Sequence, residues 1–98
     1  MEIEFRDERL ELIETDRAAE TRLPVAVIKS CRKKLNFIRQ AVDERDVRNW
    51  KSLRVEKMQG DESGKLTIRL NDQWRMFFVF EKENGRTKFV VLDVRDPH

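Results

Sequence analysis

The chain holds one histidine, His98, in the run Asp96-Pro97-His98. An imidazole with an unperturbed pKa of about 6.5 can take or give a proton near neutral pH, and a carboxylate such as Asp96 can orient the ring or hold a positive charge. Lys57 and Arg75 are cations suited to phosphate oxygens, Arg75 with a planar, two-pronged fork. Lys65, Arg69 and Arg54 could extend a cationic strip. Together these residue types could move protons and stabilise charge on a phosphodiester without a metal. Each also has a plainer reading. His98 could be an exposed end residue with no role, Arg75 could neutralise a carboxylate or stack on an aromatic ring, and Lys57, Lys65 and Arg69 could line a solvated strand.

The rest of the composition narrows the field. With 98 residues, of which 39% are hydrophobic and 41% charged, the chain reads as one folded domain, 1–98, whose active site would be an open cleft. A single cysteine, Cys31, excludes an internal disulfide and a cysteine-based zinc site, and no cofactor or metal is expected. No apolar run has the length of a membrane span and the start of the chain is acidic, so a cytoplasmic protein with no membrane partner is expected. Charge is unevenly spread: residues 1–20 carry a net −5, residues 21–60 a net +7 and residues 61–98 none. Such a basic centre can attract RNA or an acidic protein.

Those side chains need a scaffold, and its elements are written in the hydrophobic spacing. Ile3 and Phe5 alternate with glutamates as in a short first strand, and Asp7 can cap a helix carrying Leu10 and Ile13. Pro24 suits a helix start, after which Val27, Ile28, Cys31, Leu35, Ile38 and Val42 recur every three or four residues. Cys31 on that stripe reads as a packed thiol. Asp43–Ser52 reads as a polar connection, and a period of two begins at Leu53 and Val55, against Arg54 and Glu56. Gly60–Gly64 and Asn71–Gln73 read as turns. Leu66, Ile68 and Leu70 oppose Lys65, Thr67 and Arg69 on a strand, and the aromatic run Trp74–Phe80 predicts the centre of a sheet. Asn84-Gly85 marks a type I′ hairpin into a last strand, Phe89–Val94. The fold expected is α+β: a short N-terminal strand and two helices packed on one face of an antiparallel sheet, with the other, basic face partly open.

Three stretches carry a family resemblance: Glu56-Lys57-Met58-Gln59-Gly60-Asp61, Thr67-Ile68-Arg69-Leu70-Asn71-Asp72-Gln73-Trp74-Arg75-Met76-Phe77-Phe78, and Asp96-Pro97-His98. In this order, with Leu23-Pro24 upstream, the chain resembles the HigB (host-killing, plasmid-maintenance killer) branch of the RelE/ParE toxin superfamily. The resemblance implies a RelE-like fold. It further implies a toxin of a type II toxin–antitoxin pair, a small endoribonuclease that cuts translated mRNA in the ribosome. The implied partners are the ribosome, mRNA and a HigA-like helix-turn-helix antitoxin, with operator DNA reached only through that antitoxin. By position in the family, His98 would be the general acid or base, with Asp96, Lys57 and Arg75 as its catalytic companions and Lys65, Arg69 and Arg54 on the RNA.

The chain departs from the family pattern at three places. Pro97 stands where the family commonly has Tyr, Gln59 where it often has Lys, and Glu62 where it often has Arg. Each change removes an aromatic platform or a positive charge. Two alternatives follow: a ParE-type toxin that inhibits gyrase by contact, or a catalytically weakened relative acting as an antitoxin-binding co-repressor.

Overall fold

The computed structural model describes residues 1–97. Strand β1 is Glu2–Phe5. Asp7 caps the next element as expected, its carboxylate accepting the Arg9 amide at 2.9 Å. That element, Glu8–Glu14, is a 3-10 helix rather than an α-helix. Its two buried residues, Leu10 and Ile13, are three apart, the spacing that a three-residue turn brings into line. A second 3-10 turn, Ala18–Thr21, leads to Pro24.

Helix α1 spans Val25–Gln40. Pro24 precedes it, where the missing N–H costs nothing, and its carbonyl accepts the Val27 and Ile28 amides. Val27, Ile28, Cys31, Leu35 and Ile38 are buried as their spacing predicts. Val42 is not on the stripe: the helix has ended, and Val42 is 87% exposed. The reason is local. Asp43 and Asp46 form a capping box that starts a new helix, α2, Glu44–Asn49, within the stretch read as a connection. With Val47 as its only buried residue, α2 has too little apolar periodicity to announce itself.

The period-two run from Leu53 is also corrected. Leu53 lies fully buried in a 3-10 turn, Lys51–Leu53, and Arg54 takes a left-handed φ of 48°, so β2 is only Glu56–Lys57. Strands β3 (Leu66–Arg69), β4 (Arg75–Glu83) and β5 (Arg86–Arg95) follow. Asn84 and Gly85 have φ of 52° and 78°, the paired positive values of a type I′ turn.

The sheet order is β1-β5-β4-β3-β2, which puts the aromatic strand β4 in the centre. The sheet is antiparallel except at one edge, where β1 runs parallel to β5. A parallel pair needs a crossover, and the helical segments after β1 supply it. Ile68, Met76, Phe78, Phe89, Val91 and Val94 share one face and join the buried residues of α1 in the core. There Phe78 stacks on Phe89 at 4.2 Å, and Phe80 meets Phe78 edge-on at 5.3 Å.

Candidate functional site

Side chains alternate across a strand, so the residues between the core positions point to the sheet face away from α1. The register on this face sets Arg69 opposite Arg75 and Arg75 opposite Arg95, one arginine on each of β3, β4 and β5. Directly opposed like charges repel unless they are neutralised. Arg69 pairs with Asp72. Arg95 faces Asp93 through Nε at 3.1 Å and donates from Nη2 to Glu62 at 2.8 Å. Its guanidinium also lies 4.1 Å from the Phe77 ring centre, which helps leave Phe77 only 1% exposed on the open face.

Arg75, in the middle, is held differently. Its Nη1 donates to the carbonyls of Asn71 at 2.8 Å and Trp74 at 3.2 Å, and among the described residues it has no carboxylate partner. The turn that positions it is itself pinned, because the Asn71 side-chain oxygen accepts the Gln73 and Trp74 amides. Arg75 therefore keeps guanidinium donors for an incoming anion. Neutralised neighbours on both sides lower the cost of holding its charge there.

The other candidates fall at varying distances from this row. Asp96 follows Arg95 directly at the end of β5. His98 lies outside the described residues. Lys65 sits in the turn before β3 and pairs with Glu62 at 2.6 Å. Lys57 pairs in register with Leu66, which places it on the α1 side of the sheet, away from the row. There it lines a cleft of about 560 Å³ with Arg48, Met58, Phe80 and Lys82. Arg54 is exposed in the turn before β2, and no hydrogen bond or ion pair joins it to the row. The structure thus sets Arg69 and Arg75 abreast with Arg95 and leaves Asp96 next to Arg95 in the chain. It brings Lys65 to the row through Glu62, while Lys65 also lines the cleft of Lys57, and it keeps Lys57 and Arg54 off the row.

Residues 3–98 match the family described as HigB-like toxin, the RelE-like toxin of the type II toxin–antitoxin system HigB. The chain belongs to that family. Among solved structures, the YoeB/ParE toxin from Agrobacterium tumefaciens has a TM-score of 0.58 and 14% identity over 100% of both chains, which shows the common fold. The RelBE2 toxin–antitoxin complex from Mycobacterium tuberculosis matches with a TM-score of 0.49 and 12% identity, over 97% of this chain and 95% of that one. No curated sequence matches the chain.

In this HigB-like toxin the three departures have distinct surroundings. Glu62 is engaged with both Arg95 and Lys65, and the bond from Lys65, then that from Arg95, holds its carboxyl below the usual carboxylate range. Gln59 is exposed just before the Gly60–Glu62 turn, and Pro97 is exposed beyond β5. Arg95 itself escaped the sequence reading. The expected strand stopped at Val94, and the register slips between Phe77 and Phe78, whose partners are Asp93 and Val91, so Leu92 is an extra residue. Uninterrupted alternation from Phe89 and Val91 would have set Arg95 on the α1 side, and the bulge turns it onto the face of Arg75. Cys31 is confirmed as a packed thiol, fully buried, with burial pushing its pKa up to about 12.

Proposed function

We propose that this toxin is a metal-independent endoribonuclease acting on translated mRNA and neutralised by a HigA-like antitoxin. The observation that carries this reading is the row Arg69–Arg75–Arg95 on the open sheet face, with Asp96 next in the chain. Attack of a ribose 2′-oxygen on its phosphorus needs a proton acceptor, and the departing 5′-oxygen needs a proton. Negative charge grows on the non-bridging oxygens, where a guanidinium fixed by Asn71 and Trp74 acts without reorganising. In this reading Arg75 binds the scissile phosphate, His98 moves the proton, and Asp96 orients His98. Arg69 holds RNA on one flank, and Lys65 supports the other. Lys57 and Arg54 would meet RNA only at a distance from the reacting bond.

The decisive experiment maps mRNA ends by primer extension in a purified translation system, with and without ribosomes, for wild type, Arg75→Ala and His98→Ala. New 5′ ends inside codons, present only with ribosomes and lost in both variants, are expected. Intact mRNA together with gyrase-trapped DNA breaks would replace the nuclease with a ParE-type toxin.

A second reading has its own observation. Asp72 neutralises Arg69, and Glu62 and Asp93 neutralise Arg95, so two of the three arginines are committed within the chain. That pattern fits a weakened nuclease that serves as an antitoxin-binding co-repressor. Growth arrest on induction without antitoxin would remove it.

A further inference from the structure

The carboxylate of Glu62 sits where an anion would sit. Its Oε1 accepts from Arg95 Nη2 at 2.8 Å, and its Oε2 stands 2.6 Å from Lys65 Nζ. Two cations thus converge on the two oxygens of one singly charged group, the arrangement by which a guanidinium and an ammonium hold a phosphodiester. Asp93 Oδ2 stands 3.1 Å from Arg95 Nε and the Phe77 ring centre 4.1 Å from the guanidinium, which place the Arg95 head group on the sheet. Lys65 sits one residue before β3, and the Arg95 half of this cluster is therefore built into the sheet, in register beside Arg75.

The anionic side is not. Glu62 belongs to the short 3-10 turn Gly60–Glu62, bounded by Gly60 at φ 67° and Gly64 at φ 93°. Nothing lies within 4 Å of where a Cβ would stand on either glycine, so they are not there for close packing. They supply backbone conformations that other residues rarely take, at the two ends of the segment carrying Glu62. Asp61, Ser63 and Gly64 are exposed, which leaves the Glu62 side chain as the part of the turn that reaches into the protein. The Arg95 and Glu62 side chains are 40% and 30% accessible, yet Glu62 Oε2 and Arg95 Nε are buried without a hydrogen-bond partner among the described residues. Glu62 thus fills this site with incomplete bonding that a competing anion can improve on.

We propose that Arg95 and Lys65 form a second phosphate subsite beside Arg75, and that Glu62 occupies it in the free protein as an internal substitute for an RNA phosphate. RNA enters by displacing the Glu62 carboxylate as the Gly60–Gly64 turn swings outward. The inference rests on the reading of the chain as an RNA-cutting toxin. It also explains how a carboxylate can stand in a cationic site without abolishing it: Glu62 sets a threshold for binding, and in its absence the site is open to any polyanion.

The test is the affinity of purified toxin for a short single-stranded RNA labelled with fluorescein, measured across a salt series for wild type, Glu62→Gln, Glu62→Gln/Arg95→Met and Arg75→Ala. Glu62→Gln is expected to bind about 5 to 10-fold more tightly. Its log–log salt slope should steepen by about 0.7 for each phosphate newly contacted. The gain should vanish in the double variant. Circular dichroism of each variant identifies any that fail to fold, and Lys65→Met in the Glu62→Gln background then replaces the double variant. Unchanged or weaker binding by folded Glu62→Gln, while Arg75→Ala still loses RNA, overturns the subsite and leaves the RNA reading standing. No RNA binding by either wild type or Glu62→Gln overturns both.

Discussion

The two faces of one sheet are built by opposite rules from alternating residues of the same strands. On the α1 side, Met76, Phe78, Phe89 and Val91 are removed from water by ring stacking and aliphatic packing, and the shape of that core needs no charge. On the far side, Arg69, Arg75 and Arg95 stand abreast, and the face is held by carboxylates, backbone carbonyls and one cation–ring contact. The first face supplies most of the hydrophobic stabilisation, about 25 cal/mol per Å² of apolar surface buried, to which the second adds the buried Phe77 and Val90. On the proposed reading, the main hydrophobic core and the phosphate-binding row are thus separated by one residue of strand alternation.

The strongest way to break this division is Phe78→Ala. Removing a fully buried ring from the central strand should cost about 3–5 kcal/mol, a large part of the stability of a domain this small, and urea unfolding would measure it. A variant as stable as wild type would show that the α1 side is not where the fold is held.

Arg75→Ala tests the other face. Cleavage on programmed ribosomes should fall on the order of 100-fold while the urea midpoint stays nearly unchanged, as expected for loss of a fixed donor to developing charge. Arg75→Lys should recover only part of the rate, because an ammonium lacks the planar fork. A rate loss that tracks a loss of stability would join the two faces that the structure separates.

The two faces should also respond to opposite ends of the pH scale. Glu62 is held as a carboxylate below its ordinary range, so its contribution to stability is present above the unfolded pKa, near 4.5, and is lost as pH falls through the lower folded value. Cys31 behaves in the reverse sense, since burial raises its pKa from 9.0 to about 12. Above pH 9 the unfolded thiol ionises while the folded one stays neutral, so stability falls through that window. Chemical denaturation from pH 3 to 11 should show Glu62→Gln flattening the acid limb and Cys31→Ala flattening the alkaline one. In the native protein at neutral pH, Cys31 should react with a thiol reagent only at the rate of global unfolding.

The smallest effect belongs to a residue outside both faces. Val42→Thr should change stability by less than about 0.5 kcal/mol, because Val42 is 87% exposed and its position after α1 buries nothing. A larger loss would mean that the apolar stripe continues past Gln40 after all.

Periodic features were legible in advance because they depend on neighbours in the chain. Helical spacing from Val27 to Ile38, alternation from Leu66 to Leu70, and the paired turn residues Asn84-Gly85 each specify their element locally. Elements with little of their own to bury were not legible. Helix α2 rests on a capping box and Val47, and the turn at Leu53 on one buried side chain, so neither left a repeating pattern.

By itself, then, the sequence determined the residue types available for chemistry, the order of most elements, the aromatic centre of the sheet and the resemblance to the HigB branch. Tertiary structure alone decided which of those residues meet. Strand register set Arg69, Arg75 and Arg95 abreast, and the bulge at Leu92 turned Arg95 onto their face. The pairing of β2 with β3 sent Lys57 to the opposite side, and the fold of the Gly60–Gly64 turn carried Glu62 across 33 residues of sequence to Arg95. The physical reason is that side-chain spacing reports one strand at a time, whereas a site on a sheet is defined across strands, where a shift of one residue exchanges its two faces.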